Sequence, residues 1–335
     1  MTAIHPITTQ TTPAGVPRKR VLVLTYSQTG QLSAVVERIV APLRAEGADV
    51  IIDVHVETLR PRSPFPFPWP ILRFFDAFPE CAHLDPAPLQ PITLKGDEEF
   101  DLVILSYQVW FLAPSQPAVA FLRSPEGRRL LAGKPVVTVI ACRNMWLMAQ
   151  EKMKSLLADA GARLIDNVVL TDTAPTMATL VTTPRWMLTG RRDAFLGLPP
   201  AGIEAGEIAR CSRFGHALRD ALAAGRERQT APLLSGLRAV QADPRLLFAE
   251  KAATRSFFVW GKLIRAIGAP GAAARRPFLL LYLVFLVTMI LTVVPLSLLV
   301  QAAIRPLAGN FLAAHKAYYE YPSGSGIERM TIDDR

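Results

Sequence analysis

From Val21 onward the chain alternates two hydrophobic patterns. Short, near-continuous runs of Val, Ile and Leu predict strands at 21–26 (VLVLTY), 49–56 (DVIIDVHV), 101–107 (DLVILSY), 134–142 (KPVVTVIAC) and 162–170 (ARLIDNVVL). Between them, apolar positions recur at helical spacing and predict helices at 32–47, near 116–131, at 146–160 and around 202–223. The first of these carries Pro42 late, where a kink or an early stop is expected, and ends at Gly47. Strands joined through helices need crossover connections, hence a parallel sheet, and strands this apolar are covered on both faces. The expectation is a doubly wound α/β fold with a five-stranded parallel sheet, binding its ligand outside the carboxyl ends of the strands. Two stretches break the rhythm: the Pro/aromatic segment at 60–91, and an irregular region at 172–200 with Pro175, Pro184 and Pro199–Pro200.

The last third follows a different pattern. Phe278–Ile304 runs for 27 residues without a charge, about 40 Å of helix against a hydrocarbon core of about 30 Å. It predicts one C-terminal transmembrane helix, with Pro295 as a point where it kinks or becomes re-entrant. Lys262, Arg265, Arg275 and Arg276 precede it and Arg305 follows; by the positive-inside rule the globular part lies on the cytoplasmic side of the inner membrane. Upstream, residues 251–268 place Phe257, Trp260, Ile264 and Ile267 on one face, with Lys251, Arg255, Lys262 and Arg265 largely opposite. That pattern suits a helix on an anionic membrane surface and equally a helix packed on the domain with a solvated basic face.

Composition adjusts this picture at two points. The 335 residues carry a net charge of +9, which the membrane-proximal basic residues account for without nucleic acid, and no nucleic-acid-binding signature is present. Three dispersed cysteines (Cys81, Cys142, Cys211) and five scattered histidines offer neither a disulfide framework nor metal-ligand spacing, so no metal site is expected. The N-terminal MTAIHPITTQTTPAGVPRKR lacks the apolar core of a secretory signal and reads as a flexible tail. The expected organisation is a tail at 1–19, an α/β domain at 20–225, a basic amphipathic juxtamembrane region at 226–277, the transmembrane helix at 278–304 and a tail at 305–335.

The chemistry concentrates in three loops at strand ends. After the first strand stands Ser27-Gln28-Thr29-Gly30-Gln31-Leu32, matching neither GxGxxG nor GxxxxGK[ST]. Hydroxyls and backbone amides at a helix N-terminus suit a monophosphate, and Ser27 and Thr29 serve equally as helix caps. The sequence resembles the phosphate loop of the flavodoxin-like family, Ser/Thr-x-Thr-Gly-x-Thr, with Leu32 replacing the last hydroxyl. The resemblance implies FMN as cofactor. It also implies flavin contacts from Gln108, Val109, Trp110 and Phe111 after the third strand, and from Cys142, Arg143, Asn144, Met145 and Trp146 after the fourth. Arg143 would face the N1–C2=O edge, where negative charge develops on reduction. Trp110 and Phe111 read equally as core residues, and Cys142 as a buried structural thiol.

A tighter resemblance covers roughly residues 20–175. SQTGQL, the PFPFPWP…RFFDAFPE block, SYQVWFLAPS and ACRNMWLMAQEKM…GARLIDNVVL look like the bacterial flavodoxin-like proteins called dialkylresorcinol condensing enzymes, found with a ketosynthase. That resemblance implies an FMN-linked oxidation of an alkylated cyclohexanedione to a dialkylresorcinol, a hydrophobic alkyl-chain substrate and a ketosynthase partner. No Cys-His-Asn arrangement for condensation is visible in this chain. The Pro/aromatic block reads either as a lid for an alkyl chain or as a packed connector, and His83 and Asp85 are candidates for proton transfer. A quinone reductase or electron carrier, and a flavin-less membrane adaptor, are the competing functions.

Overall fold

The chain is described by a computed structural model over residues 15–304 and 309–324, with side chains placed outside 293–304. Most of the expected N-terminal tail, and the ends of the expected C-terminal tail, lie outside these residues. In chain order the elements are β1 (Arg18–Thr25), α1 (Gln31–Arg44), β2 (Ile51–Thr58), α2 (Ile71–Ala82), β3 (Leu102–Trp110), β4 (Ala113–Pro114), α3 (Gln116–Arg123), α4 (Pro125–Leu131), β5 (Pro135–Cys142), α5 (Leu147–Asp159), β6 (Arg163–Thr171), α6 (Thr176–Thr189), α7 (Ala205–Ala209), α8 (Ser212–Ala223), α9 (Leu247–Ile267), α10 (Arg276–Ile304) and α11 (Gly309–Glu320).

The five long strands pair in parallel in the order β2-β1-β3-β5-β6. Counting parallel strands alone, this is the 2-1-3-4-5 order of flavodoxin-like sheets, whose switch point lies between β1 and β3. Alternate residues of β1 serve opposite layers, as a two-residue period requires. Val21 and Val23 pack with Val35 and Ile39 of α1 and Phe214 and Leu218 of α8. Leu22 and Leu24 pack with Val119 and Leu122 of α3 and Met153 and Leu156 of α5.

The structure departs from the sequence reading in several elements. A sixth strand exists because β3 outruns the sheet: its last rung to β5 is Gln108–Ala141, and Val109 and Trp110 then pair antiparallel with β4. The 116–131 helix is two, divided at Ser124, whose hydroxyl accepts from the Gly127 amide ahead of Pro125 at the start of α4. Helices α2 and α6 occupy stretches where none was expected. Pro79 and Pro184 lie inside them and blur the periodic signal. Pro42 likewise sits inside α1 without stopping it.

Beyond α8, the chain wraps back over β6. The Leu233 and Leu234 amides donate to the Asp166 carboxylate, and the Val169 amide donates to the Ala239 carbonyl. Helix α9 is docked, so the packed reading of the amphipathic segment is the one the structure adopts for its inner face. Phe257 and Ile264 join Phe75 and Phe78 of α2 in a third apolar cluster, and Gly261 allows α2 close, since a Cβ there would lie 3.3 Å from Pro79 Cα. Helix α10 continues this cluster through Leu279 and Tyr282 and is, by length and composition, apolar enough to cross a membrane. It runs unbroken through Pro295.

Candidate functional site

The switch-point crevice is bounded by the ends of β1, β3 and β5, and it collects residues from all three loops singled out in the sequence. The crevice has a volume of about 220 Å³. Thr29, Gln31 and Leu32 form one wall, Gln108, Val109, Trp110 and Phe111 a second, and Cys142 and Arg143 a third. The remaining candidates sit differently. Trp146 is 1 % exposed and belongs to the core beneath α5. Met145 packs on the third apolar cluster. Leu32, where the resemblance had a hydroxyl, is also a core residue, packed with Val35 and Val36.

The turn after β1 is not a side-chain-capped helix start. Gly30 occupies the cap position with φ 82°, and no side chain caps α1. The left-handed backbone explains the glycine, and no atom lies within 4 Å of where a Cβ would be. Ser27 Oγ is buried with no hydrogen-bond partner among the described residues. The two glutamines are engaged elsewhere. Gln28 Nε2 donates to the Pro66 carbonyl at 2.7 Å, and its Oε1 accepts from Trp69 Nε1 at 2.9 Å. Gln31 pairs twice with the Ile203 backbone at 3.1 Å. They therefore tie the walls together; Thr29 lines the crevice beside them, and Ser27 is not among its lining residues.

Opposite the turn, Phe111 and Leu112 form a two-residue hairpin with φ 51° and 56°. Such values cost non-glycine residues roughly 1 kcal/mol or more each, and they persist where surroundings over-determine them. Here Lys152 Nζ donates to the Leu112 carbonyl at 3.1 Å, and the Phe111 ring is held 4.7 Å from Phe74 and 5.6 Å from Phe257. Trp110 meets Tyr26, Phe65 and Trp69 edge-on, with ring centroids 4.9–5.8 Å apart. The Pro/aromatic block thus closes one side of the crevice. It also reaches α6, where Phe67 meets Trp186 edge-on and the Trp69 amide donates to the Met187 carbonyl at 2.8 Å.

Electrostatically the crevice holds one cation and one carboxylate among the described residues. Arg143 Nε donates to Asn144 Oδ1 at 3.1 Å, and among the described residues no carboxylate stands within ion-pair distance of it. Burial lowers its pKa, and the charge of Asp172 acts in the other direction. Asp172 accepts from the Ala174 and Gly202 amides at 2.9 and 2.8 Å. Burial, more than the nearby Glu250 charge, pushes the Cys142 thiol far up, so it stays neutral and is no thiolate nucleophile. His83 stacks on Phe258 and Asp85 pairs with Arg265; neither lines the crevice. Asp172, Trp186, Met187 and Gly202 do line it and escaped the sequence reading. The prolines around α6 hid that element, and a conspicuous Trp186 was the one usable signal.

The phosphate ester of the flavin implied by the resemblance fits the turn: an uncapped helix N-terminus, an open approach at Gly30 and an orphaned hydroxyl at Ser27 are what it would use. The crevice volume is below the ~300–1,000 Å³ of ligand pockets.

No protein-family model matches the sequence, and no curated protein is significantly similar to it. Solved structures do resemble it. A flavoprotein in complex with FMN from Lactobacillus acidophilus NCFM is 14% identical, with TM-score 0.37, covering 45% of this chain and 93% of its own. Putative flavoproteins from Bacteroides eggerthii (16% identical, TM-score 0.34, covering 46% of this chain and 90% of its own) and Bacteroides uniformis (13%, 0.32, 52% and 98%) are similar to the same extent. Likenesses this slight establish no function for the present chain.

Proposed function

We propose that this protein is an FMN-binding oxidoreductase held against a membrane and acting on a hydrophobic, alkyl-bearing substrate. The observation that carries the reading is the buried, unpartnered Ser27 hydroxyl beside the uncapped N-terminus of α1, at the switch point of the sheet. Ser27, Thr29 and the amides after Gly30 would hold the phosphate, and Arg143 would stand by the ring edge that gains negative charge. When bound, the flavin supplies two-electron acceptance. The protein's own residues bind, orient and exclude water: Trp110, Phe111 and the Pro/aromatic block wall the ring site, and Asp172 balances Arg143.

The finer assignment follows the sequence resemblance. Converting a 2,5-dialkyl-cyclohexane-1,3-dione to a dialkylresorcinol removes two hydrogen atoms, that is two protons and two electrons, which matches a flavin's capacity as two-electron acceptor. The rings of Trp69, Phe74, Phe111, Phe78 and Tyr282, with successive centroids 4.4–5.8 Å apart, form a packed apolar bridge between α10 and the crevice wall at Phe111. The ketosynthase would then supply the dione.

The test is FMN titration of the detergent-purified protein, followed by quenching of flavin fluorescence. Saturable binding that weakens about tenfold or more in Ser27→Ala/Thr29→Ala is expected, from the ~1.5–3 kcal/mol of a hydrogen bond to a charged group. A protein that leaves FMN fluorescence unchanged overturns the reading and leaves a flavin-less adaptor. With flavin bound, supplying alkyl-cyclohexanediones, NAD(P)H and quinones separately distinguishes the oxidase from a quinone reductase.

A further inference from the structure

The membrane association proposed above leaves open how α10 meets the bilayer, and the two ends of this helix decide it. At its start, Arg275 is fully buried, 3.1 Å from both Asp76 and Glu80 of α2. One turn on, Leu279 and Ile264 share a cluster; Tyr282 then lies 5.3 Å from Trp260, and Phe285 5.4 Å from Trp260. Advancing along α10 is therefore retreating along α9: the pair is an antiparallel hairpin. Past its far end the chain comes home. Phe311 stacks on Phe248 in the first turn of α9, and Tyr318 donates to Glu151 at 2.9 Å. Glu320 accepts from the Ala242 amide at 3.0 Å, and Ser323 donates to Asp166 of β6 at 2.6 Å.

A helix of 29 residues is about 43 Å long. The seven residues from Ile304 to Phe311 reach at most about 25 Å. The end of α10 thus lies within about 25 Å of Phe248; because Glu250 in the first turn of α9 accepts from the Met148 amide of the domain and Arg275 at the other end pairs with α2, both ends of α10 are tied to the domain. A crossing that delivers α11 to the opposite face of a bilayer cannot keep these contacts.

The outer faces state what covers them. On α10, Leu280, Val284, Val287 and Leu291 are exposed at i, i+4, i+7 and i+11, one stripe opposite the packed face. On α9, Phe258, Val259 and Leu263 are exposed among the exposed Lys251, Arg255 and Lys262. The only carboxylates between 247 and 320 are Glu250 and Glu320, and both are buried. Exposed apolar and basic side chains with no exposed acid match the boundary between acyl chains and anionic headgroups, not a protein partner with its own mixed charges.

We infer that the α9–α10 hairpin is a monotopic insert that enters one leaflet of an anionic membrane, with α11 and the α/β domain on the same side. The test uses the full chain in spheroplasts, with Ala41→Cys on α1 and Ala314→Cys on α11 compared by a membrane-impermeant maleimide, the unsubstituted chain serving as background. Neither site should label in intact spheroplasts and both should label after lysis. Labelling of Ala314→Cys alone before lysis overturns the inference and leaves membrane association standing.

Flotation of the purified chain checks the lipid surface. Binding to vesicles containing phosphatidylglycerol, reduced at least fivefold in pure phosphatidylcholine and in Lys251→Glu/Lys262→Glu, is the expected result. Loss of flotation in Val284→Glu/Leu291→Glu, with an unchanged circular dichroism spectrum, supports the apolar stripe as the inserted face. Wild-type flotation by that variant, or equal binding to both vesicle types, overturns the surface assigned here. A wild-type chain that floats with neither vesicle overturns the membrane association itself, whatever the flavin titration shows.

Discussion

Arg143 is a half-buried guanidinium that lines the crevice and, among the described residues, has no carboxylate at ion-pair distance. Replacing it with Gln should lower the midpoint potential of bound flavin by about 30 mV or more, since 1.4 kcal/mol corresponds to 30 mV for two electrons; spectroelectrochemistry reads this directly. Glu250, in the first turn of α9, lies outside the crevice lining. It is buried, and one oxygen accepts from the Met148 amide at 2.9 Å at the start of α5. Burial pushes its pKa up to about 7. A raised carboxyl pKa means that the folded protein holds the proton more tightly than the unfolded chain. Stability is therefore full below the unfolded value near 4.5 and declines as pH rises through about 7. The loss is on the order of 3 kcal/mol. Urea midpoints should fall between pH 5 and 8, and Glu250→Gln should flatten that slope.

At the scale of elements, the junction of α2 with the start of α10 rests on one buried cation between two carboxylates. Burial raises the Glu80 pKa against the lowering effect of Arg275. Removing one partner of such a group leaves uncompensated charge, so Arg275→Met is expected to destabilise by about 3–5 kcal/mol in urea unfolding. Which elements were legible follows from pattern strength. The five parallel strands showed because each is a continuous Val/Ile/Leu run, and SQTGQ was legible as an anion-binding turn from its place after the first. Helices α2 and α6 did not show, because prolines at 79 and 184 sit where a local rule reads a break, whereas tertiary packing tolerates them late in a helix. The Phe111–Leu112 hairpin was invisible for the opposite reason: its residues are among those a two-residue turn least prefers, and the rings around Phe111 together with the Lys152 bond to the Leu112 carbonyl hold it. Trp146 looked like a flavin contact by sequence neighbourhood alone, and a one-residue advance into α5 turned it into the core.

For the whole molecule, the long apolar helix lies inside the fold's connectivity and is no appendage. Hydropathy identifies α10 but cannot reveal that residues after it return to β6, because a serine and a glutamate in a short amphipathic tail carry no long-range signal. A chain ended at Pro277 should lose the Ser323 and Ala242 contacts and uncover Asp166 and Phe78. The expected outcome is a lower thermal midpoint with increased binding of a hydrophobic dye, measured beside the full chain in the same detergent. This arrangement also sets an order in time. Ser323 closes a site on β6, yet it leaves the ribosome about 150 residues after that strand and after all of α10. The parallel sheet can pair while synthesis continues, before Ser323 is available to reach Asp166. Through that interval the apolar helix α10 is already synthesised beside a domain whose Asp166 is still without its Ser323 partner.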